Sequence, residues 1–388
     1  MDSNNRKLRY AMVGGGPGAF IGAVHRMAAE LDGEMELVAG AFSSSEEKSR
    51  QAGEELYLDS DRVYGSWQEM LEREAARTDE RIDFVSIVTP NFLHHPVAKA
   101  ALEAGFHVVC DKPMTMTVEE AEDLCETVVH TGRVFALTHN YTGYPMVKQA
   151  RHLVQSGELG AIRKIVVEYP QGWLSTLLEA TGQKQASWRS DPQKAGASSA
   201  LGDIGTHCEN LVQYITGLEM EEMFADLGTV VDGRALEDDA SVLIHYKGGA
   251  RGILHCSQIS HGEENDLTIR VYGSEAGLEW KQEFPTWLWV RSQDGPERIF
   301  KNGNGYLADS IQSSMRLPSG HPEGFIEAFA NIYREAGRAI RAVDAGELPE
   351  NPDYPTVQDG ARGVHFIHTA IESSTKRAWV DASYSPPA

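Results

Sequence analysis

Residues 8–22 read Leu-Arg-Tyr-Ala-Met-Val-Gly-Gly-Gly-Pro-Gly-Ala-Phe-Ile-Gly. An apolar run, Leu8 to Val13, reads as a strand; the glycines make a turn; a helical stretch follows from Ile21 to Leu31. In that order the glycines acquire a use, because a backbone without Cβ atoms can turn tightly, approach a pyrophosphate and place its charge at a helix N-terminus. Gly14, Gly16 and Ala19 satisfy G-x-G-x-x-A, with Gly18 inside the loop. A second register is open, in which Gly22 supplies the last glycine and His25 faces the loop from the helix. A ligand-free glycine turn has the same letters, and the strand-loop-helix order is what favours binding.

Moving outward, strand-like and helix-like patterns alternate. Glu36 to Phe42 is a strand, Ile82 to Val88 a short apolar run, and Pro96 to Ala104 a helix stopped by Gly105. His107 to Cys110 is a strand, Val118 to His130 a helix with Thr117 as N-cap and Glu119, Glu120 and Glu122 in its first turns, and Val134 to Thr138 a last strand. This alternation predicts a parallel sheet with crossover helices. The second strand ends in Ala41-Phe42-Ser43-Ser44-Ser45, without the carboxylate that grips an adenine ribose and without an immediate Arg for a 2′-phosphate. Ser43 and Ser44 suit a ribose or phosphate contact, or a cap on the helix starting near Glu46; the expectation is NAD, with NADP open.

Past Pro145 the pattern changes to hairpins. Ala240–Tyr246 and Arg251–Ile259 flank Lys247-Gly248-Gly249-Ala250, and Trp287–Ser292 and Arg298–Lys301 flank Gln293-Asp294-Gly295-Pro296. Helices over Glu323–Ala345 and Thr356–Ala378 close the chain. The expected organisation is an α/β dinucleotide-binding domain over 1–144 and an α+β domain with an open, mostly antiparallel sheet over 145–388, the latter for substrate and oligomerisation. A chain of 388 residues suits two domains with a cleft between them.

A composition of 41% hydrophobic and 24% charged residues fits a folded enzyme, and a net charge of -22 disfavours nucleic acid and anionic membranes as partners. The N-terminus, Met1 to Lys7, is polar, no secretory signal follows it, and no apolar run approaches the roughly 20 residues that span a bilayer. A cytoplasmic protein is expected. Cys110, Cys125, Cys208 and Cys256 lack metal-ligand spacing and read as reduced and structural; no metal is expected.

In an open parallel sheet, ligands bind beyond the carboxyl ends of strands. One such end carries Thr89-Pro90-Asn91-Phe92-Leu93-His94 and the next Asp111-Lys112-Pro113. A solvated lysine is the plain reading of Lys112, but a proline after it constrains where the ammonium points. These segments, together with Gly202-Asp203-Ile204-Gly205-Thr206-His207, resemble the T-P-x-x-x-H, E-K-P and G-x-D-x-G-x-H motifs of the glucose-fructose oxidoreductase, inositol dehydrogenase and rhizopine-catabolism family (Gfo/Idh/MocA). The resemblance covers nearly the whole chain and implies a Rossmann domain followed by the α+β domain. It implies that Lys112 hydrogen-bonds the reacting oxygen beside a cis Lys112–Pro113 peptide, and that Thr89, Pro90, Asn91 and His94 line the cofactor channel. Asp111 stands where the family has Glu, one methylene longer.

Asp203 and His207 are four apart, so a helix starting there would put both on one face. Read alone, Asp203 is a helix cap and His207 a core histidine. The resemblance makes His207 the acid/base, Asp203 its or the substrate's orienter, and Lys112 the polariser of a secondary alcohol whose hydride goes to nicotinamide. Asn140, Trp188 and Arg189 are expected at the cofactor, Tyr141 and His321 at the substrate. The substrate class is a cyclic polyol, sugar or glycoside, and the resemblance implies a homodimer or tetramer. A non-catalytic dinucleotide-binding regulator and an NAD-assisted glycosidase are the alternatives.

Overall fold

The computed structural model describes residues 6–349 and 352–387. Most of the polar Met1–Lys7 stretch and both extreme ends of the expected domains lie outside them. The first sheet has five parallel strands: β1 Leu8–Gly14, β2 Met35–Ala41, β3 Phe84–Val88, β4 His107–Cys110 and β5 Phe135–Leu137, in the order β2-β1-β3-β4-β5. Between them run α1 Phe20–Glu30, α2 Glu46–Glu55, α3 Trp67–Ala75, α4 His94–Glu103 and α5 Val118–Thr131. β3, β4 and β5 are buried at every position, as strands covered on both faces must be, which is why they read as short unbroken apolar runs. The chain moves from β1 outward to β2, then returns to β3 on the other side of β1. That reversal opens a crevice between the carboxyl ends of β1 and β3, where the glycine loop sits.

The second sheet has nine strands: β6 Ile162–Pro170, β7 Met220–Gly228, β8 Asp239–Tyr246, β9 Arg251–Ser257, β10 Thr268–Gly273, β11 Ala276–Lys281, β12 Trp287–Ser292, β13 Arg298–Lys301 and β14 Val380–Asp381. Their order is β13-β12-β11-β10-β6-β9-β8-β7-β14, antiparallel throughout except for the β6–β9 pair. Helices α6 Pro145–Gln155, α7 Lys184–Arg189, α8 Pro192–Ala195, α9 Thr206–Thr216, α10 Asp309–Gln312, α11 Phe325–Asp344 and α12 Val357–Lys376 complete the chain. Strand side chains alternate: Ala240, Val242 and Ile244 of β8 enter the core shared with Leu153 of α6 and Leu211 and Ile215 of α9. The other face is open, exposing Leu243, Ile253, Tyr272, Trp287 and Ile299. The expected fold is the observed one: a parallel Rossmann sheet followed by a mostly antiparallel open sheet.

α11 lies past the expected boundary at 144/145, yet it packs Phe329, Ile332, Tyr333, Ala336 and Ile340 against Tyr10, Met12, Val24 and Phe84 of the first sheet's core. α12 touches both cores, with Ala361 and Val364 in one and Phe366 and Ala370 in the other. These helices hold the two sheets in one arrangement, so the residues between them face one another at fixed distances. Among the described residues no helix is long and apolar enough to cross a membrane. The four cysteines are buried and unpaired.

Candidate active site

A cavity of about 1320 Å³ runs from the glycine loop to the second sheet. At one end β1 stops at Gly14, and Gly14, Gly15 and Gly18 take φ of 87°, 71° and 76°. A Cβ on Gly14 would meet the Val88 carbonyl oxygen at 2.7 Å, and one on Gly16 the Phe42 oxygen at 2.6 Å. The loop is therefore wedged between the ends of β2 and β3. Gly22 favours the second register: its Cβ would lie 2.4 Å from Gly15 Cα, so helix and loop touch backbone to backbone there. Gly22 thus does the close-packing work expected of the third position, while Ala19 lines the cavity as the residue before α1. His25 follows on the same helix, buried, with Nδ1 2.7 Å from the Tyr333 hydroxyl.

α2, α3 and α5 are capped by Ser45, Ser66 and Thr117, but α1 has no side-chain cap and no acid in its first turn. Its first N–H groups are left for a ligand, the arrangement that suits a pyrophosphate. Ser45 does the capping; Ser43 and Ser44 line the cavity with Lys48. Lys184, from α7, reaches across so that its Nζ donates to the Pro17 carbonyl at 3.3 Å.

Thr89, Pro90 and Asn91 line the cavity, as does Asn140, and Thr89 Oγ1 and Asn140 Nδ2 are buried without a partner. Asn91 Nδ2 donates to the Ala195 carbonyl at 2.9 Å, tying the first sheet to the segment that covers it. The uncapped helix, the glycine cradle and the two orphaned polar atoms fit a dinucleotide lying along this wall. His94, expected in the channel, sits behind it instead. Its ring nitrogens face the Pro113 carbonyl at 2.7 Å and the Thr89 carbonyl at 2.9 Å, bracing the two strand-end loops against each other. Gly18 also lies off the cavity lining.

The middle of the cavity holds the charged centre. Lys112 follows β4 and its peptide with Pro113 is cis. Its Nζ donates to Asp203 Oδ1 at 2.8 Å and to the Asp203 carbonyl. Asp203 Oδ2 accepts from Arg189 Nε at 3.2 Å and Gln258 Nε2 at 2.9 Å. Asp203 is not a helix cap: both carboxylate oxygens go to side chains. Burial raises its pKa, but the Lys112 and Arg189 charges outweigh burial and the net shift is downward, so it stays ionised. Arg189 stacks on Trp188, guanidinium carbon 4.3 Å from the ring, and so belongs to the same centre. Asp111 accepts from Lys112 N at 2.9 Å and Thr138 Oγ1 at 3.0 Å.

Leu201–Gly205 forms a π-helical turn running into α9, where an ordinary helix was expected over Asp203 and His207. Buried Glu237 anchors its approach, accepting from Ser198 Oγ at 2.6 Å, Ser199 N at 2.9 Å and Leu201 N at 3.0 Å. His207 faces the cavity, its Nδ1 3.3 Å from His139 Nδ1, and its ring lies edge to face with Tyr141 at 4.7 Å. Burial first, then the Lys112 charge, lowers its pKa well below the ordinary value, so it is neutral at pH 7.

At the far end Tyr141 and Tyr169 share a hydroxyl hydrogen bond, and Tyr169 donates to Asn265 Oδ1 at 2.6 Å. Gln171 Nε2 reaches the same oxygen at 2.8 Å, and Trp173 Nε1 donates to Gln171 at 3.1 Å. Sequence reasoning missed Tyr169, Gln171, Trp173, Asn265 and Gln258. The alternation of Ile165, Val167 and Tyr169 in β6 carries a signal for Tyr169 and, two further on, Gln171; Asn265 lies on a loop without one. His321 is not brought to the site. It is exposed, with Nδ1 beside the Pro318 carbonyl at 3.3 Å, because its loop precedes α11 on the outer surface.

Residues 8–141 match the model of an oxidoreductase family with an NAD-binding Rossmann fold, and 147–279 match the GFO/IDH/MocA C-terminal domain. The oxidoreductase YfiI of Bacillus subtilis is 36% identical over 97% of both chains. The chain belongs to the Gfo/Idh/MocA family of NAD(P)-dependent oxidoreductases. A solved inositol dehydrogenase homolog from Azotobacter vinelandii, complexed with NADH and myo-inositol, superposes on this Gfo/Idh/MocA chain with a TM-score of 0.92. It is 37% identical and covers 97% of this chain and 98% of its own. Levoglucosan dehydrogenase of Pseudarthrobacter phenanthrenivorans is 27% identical over 97% of this chain and 98% of its own. The resemblance read from Thr89–His94, Asp111–Pro113 and Gly202–His207 is thus the family itself.

Proposed function

We propose that this enzyme oxidises a secondary ring hydroxyl of a neutral cyclic polyol, sugar or glycoside, using NAD. Bound along the glycine wall, NAD+ supplies the acceptor for a hydride, two electrons with one hydrogen. The alcohol proton goes to His207, which is neutral and faces the cavity. Lys112 has three ammonium protons; two are directed at Asp203, and the third is available to the reacting oxygen, whose developing negative charge it stabilises. Asp203 holds the ammonium in place and offers Oδ2 within the same network.

The observation that carries this reading is the convergence of Lys112, Asp203 and His207 between the dinucleotide wall and a far wall of phenols and amides. Among the described lining residues, Lys112 and Arg189 are committed to Asp203, Lys194 to Asp191, and Lys184 and Lys48 lie toward the glycine loop. Tyr141, Gln171, Trp173 and Asn265 suit hydroxyl groups and an apolar ring face better than a phosphate or carboxylate. Two relatives name ring polyols of this kind, myo-inositol and levoglucosan.

A screen of inositols, hexoses and glycosides with NAD+ and NADP+ tests it. NADH release in proportion to substrate is expected, with Lys112→Ala and His207→Ala each lowering kcat on the order of 10² or more while NADH still binds. Variants with near wild-type turnover overturn the assignment. Dinucleotide binding with no turnover on any polyol points to a regulator, and glycoside cleavage without net NADH to an NAD-assisted hydrolase. The open face bearing Leu243, Ile253, Tyr272, Trp287 and Ile299 fits a second copy of the chain, checked by sedimentation; four buried unpaired cysteines suit a cytoplasmic enzyme.

A further inference from the structure

Two buried histidines meet at the cavity, His207 in the first turn of α9 lining it and His139, which follows β5, behind it. His139 Nδ1 and His207 Nδ1 are 3.3 Å apart, with ring planes at 85°. Such a contact is a hydrogen bond only when one nitrogen carries a hydrogen and the other a free lone pair. Both rings are neutral: burial first and the Lys112 charge second lower His139 to about 3 and move His207 in the same direction. Each ring therefore has a single N–H, and the contact permits two arrangements.

If His139 donates, the hydrogen of His207 must sit on Nε2. That nitrogen then has no lone pair with which to take a proton. If His207 donates from Nδ1, its Nε2 lone pair is left free. Only the second arrangement makes His207 a base toward a substrate hydroxyl. We propose that His139 is a positioning residue that holds His207 in the Nδ1–H tautomer by accepting its hydrogen bond. This rests on the reading of His207 as the acid/base.

The backbone around His139 is built to keep that acceptor in place. Its carbonyl accepts from Thr142 N at 3.2 Å and Thr142 Oγ1 at 2.9 Å, and its own N–H donates to the Leu137 carbonyl at 3.0 Å. The charged groups that act on His139 are Lys112, Asp359 and Asp111. When His207 Nε2 takes the alcohol proton, the Nδ1–H bond to His139 becomes charge-assisted and strengthens at the step where positive charge appears on the ring. The acceptor is then useful in both directions of the reaction, since His207 keeps its Nδ1 hydrogen whether or not Nε2 is protonated.

The test is a long-range nitrogen–proton correlation spectrum of the full chain with 15N-labelled histidine at neutral pH, His207 being assigned by the signal lost in His207→Asn. Expected are the Nδ1–H neutral pattern for His207 and the Nε2–H pattern for His139. His139→Leu should lower kcat about 10- to 100-fold with KM and NADH affinity within twofold of wild type. His139→Asn, whose Oδ1 reaches the region of the lost Nδ1, should restore most of the turnover. An Nε2–H pattern for His207 in the wild type, or wild-type kcat in His139→Leu, overturns the proposal. If His139→Leu fails to fold, as loss of NADH binding would show, the wild-type spectrum decides alone. Full turnover in His207→Asn defeats the acid/base reading instead, a result separable from the tautomer seen in the spectrum.

Discussion

Replacing Gly22 by Ala is the sharpest test of how the cofactor loop is built. The added Cβ would lie 2.4 Å from Gly15 Cα and 2.8 Å from Gly15 O, where ordinary contact begins at 3.4 Å. Helix and loop must therefore separate by about 1 Å, and since both partners are backbone, no side chain can rotate to relieve it. The separation moves the α1 N-terminus, and it draws His25 away from the Tyr333 hydroxyl at 2.7 Å, which is itself 2.8 Å from Ser86 Oγ on β3. Overpacking of this kind costs about 1–3 kcal/mol, a fall of a few degrees in Tm. Displacing the N–H groups that face a pyrophosphate should weaken NADH binding about tenfold or more, read by NADH fluorescence titration. Gly305→Ala, where the Cβ meets nothing within 4 Å, is the control, and Ala19→Gly should change NADH affinity by less than twofold. Wild-type NADH affinity and an unchanged Tm in Gly22→Ala would refute the backbone-contact argument and return the third position to Ala19.

The enzyme should lose stability as pH falls below the unfolded histidine value near 6.5, because the unfolded chain then takes up protons that buried His25, His94, His139 and His207 resist. His25 and His139, lowered to about 4 and about 3, each cost about 1.4 kcal/mol per pH unit below the unfolded value, and His94 and His207 act in the same direction; urea midpoints that do not fall between pH 7.5 and 5 contradict this. Glu237→Gln, which replaces the buried carboxylate accepting from Ser198, Ser199 and Leu201, should lower kcat by about tenfold while leaving NADH affinity unchanged; a pure loss of Tm with normal kcat counts against a role in placing Asp203. Phosphorylated or carboxylated sugars should show kcat/KM at least about tenfold below their neutral parents; the reverse order would show that the far wall holds an anion.

What could be read from the chain alone follows how local each feature is. The β1–loop–α1 unit is contiguous, so its glycines announce it, and the hairpin across Lys247–Ala250 is contiguous too. The polar far wall is not. Gln171 follows β6 and Asn265 precedes β10, and they meet only because the sheet order sets β10 beside β6, strands separated by more than ninety residues. The π turn before α9 depends on Glu237, which no local pattern links to Leu201. His94 and His321 show the limit from the other side: each sits near a motif in sequence, but one ring is turned behind its loop and the other lies on the outer surface.

The charged centre links these pieces to the proposed chemistry. Asp203 faces two cations, Lys112 and Arg189, and Asp111 sets a second carboxylate against the Lys112 backbone. The Lys112 charge acts on both partners of the proton transfer. It stabilises an alkoxide forming beside Lys112, and together with burial it depresses the proton affinity of His207. The two effects oppose each other: the same charge makes the alcohol a stronger acid and the histidine a weaker base, so the gap across which the proton moves narrows only by the amount by which Lys112 stabilises the alkoxide more than it disfavours the imidazolium. Removing the Asp203 charge would leave Lys112 and Arg189 without their shared partner and further weaken His207 as an acceptor, whereas removing Lys112 would lift only a cause smaller than burial among those that lower the histidine and leave the alcohol unactivated. The site therefore needs the ion pair and the neutral histidine together, and the contact with His139 decides which nitrogen of that histidine is ready to accept.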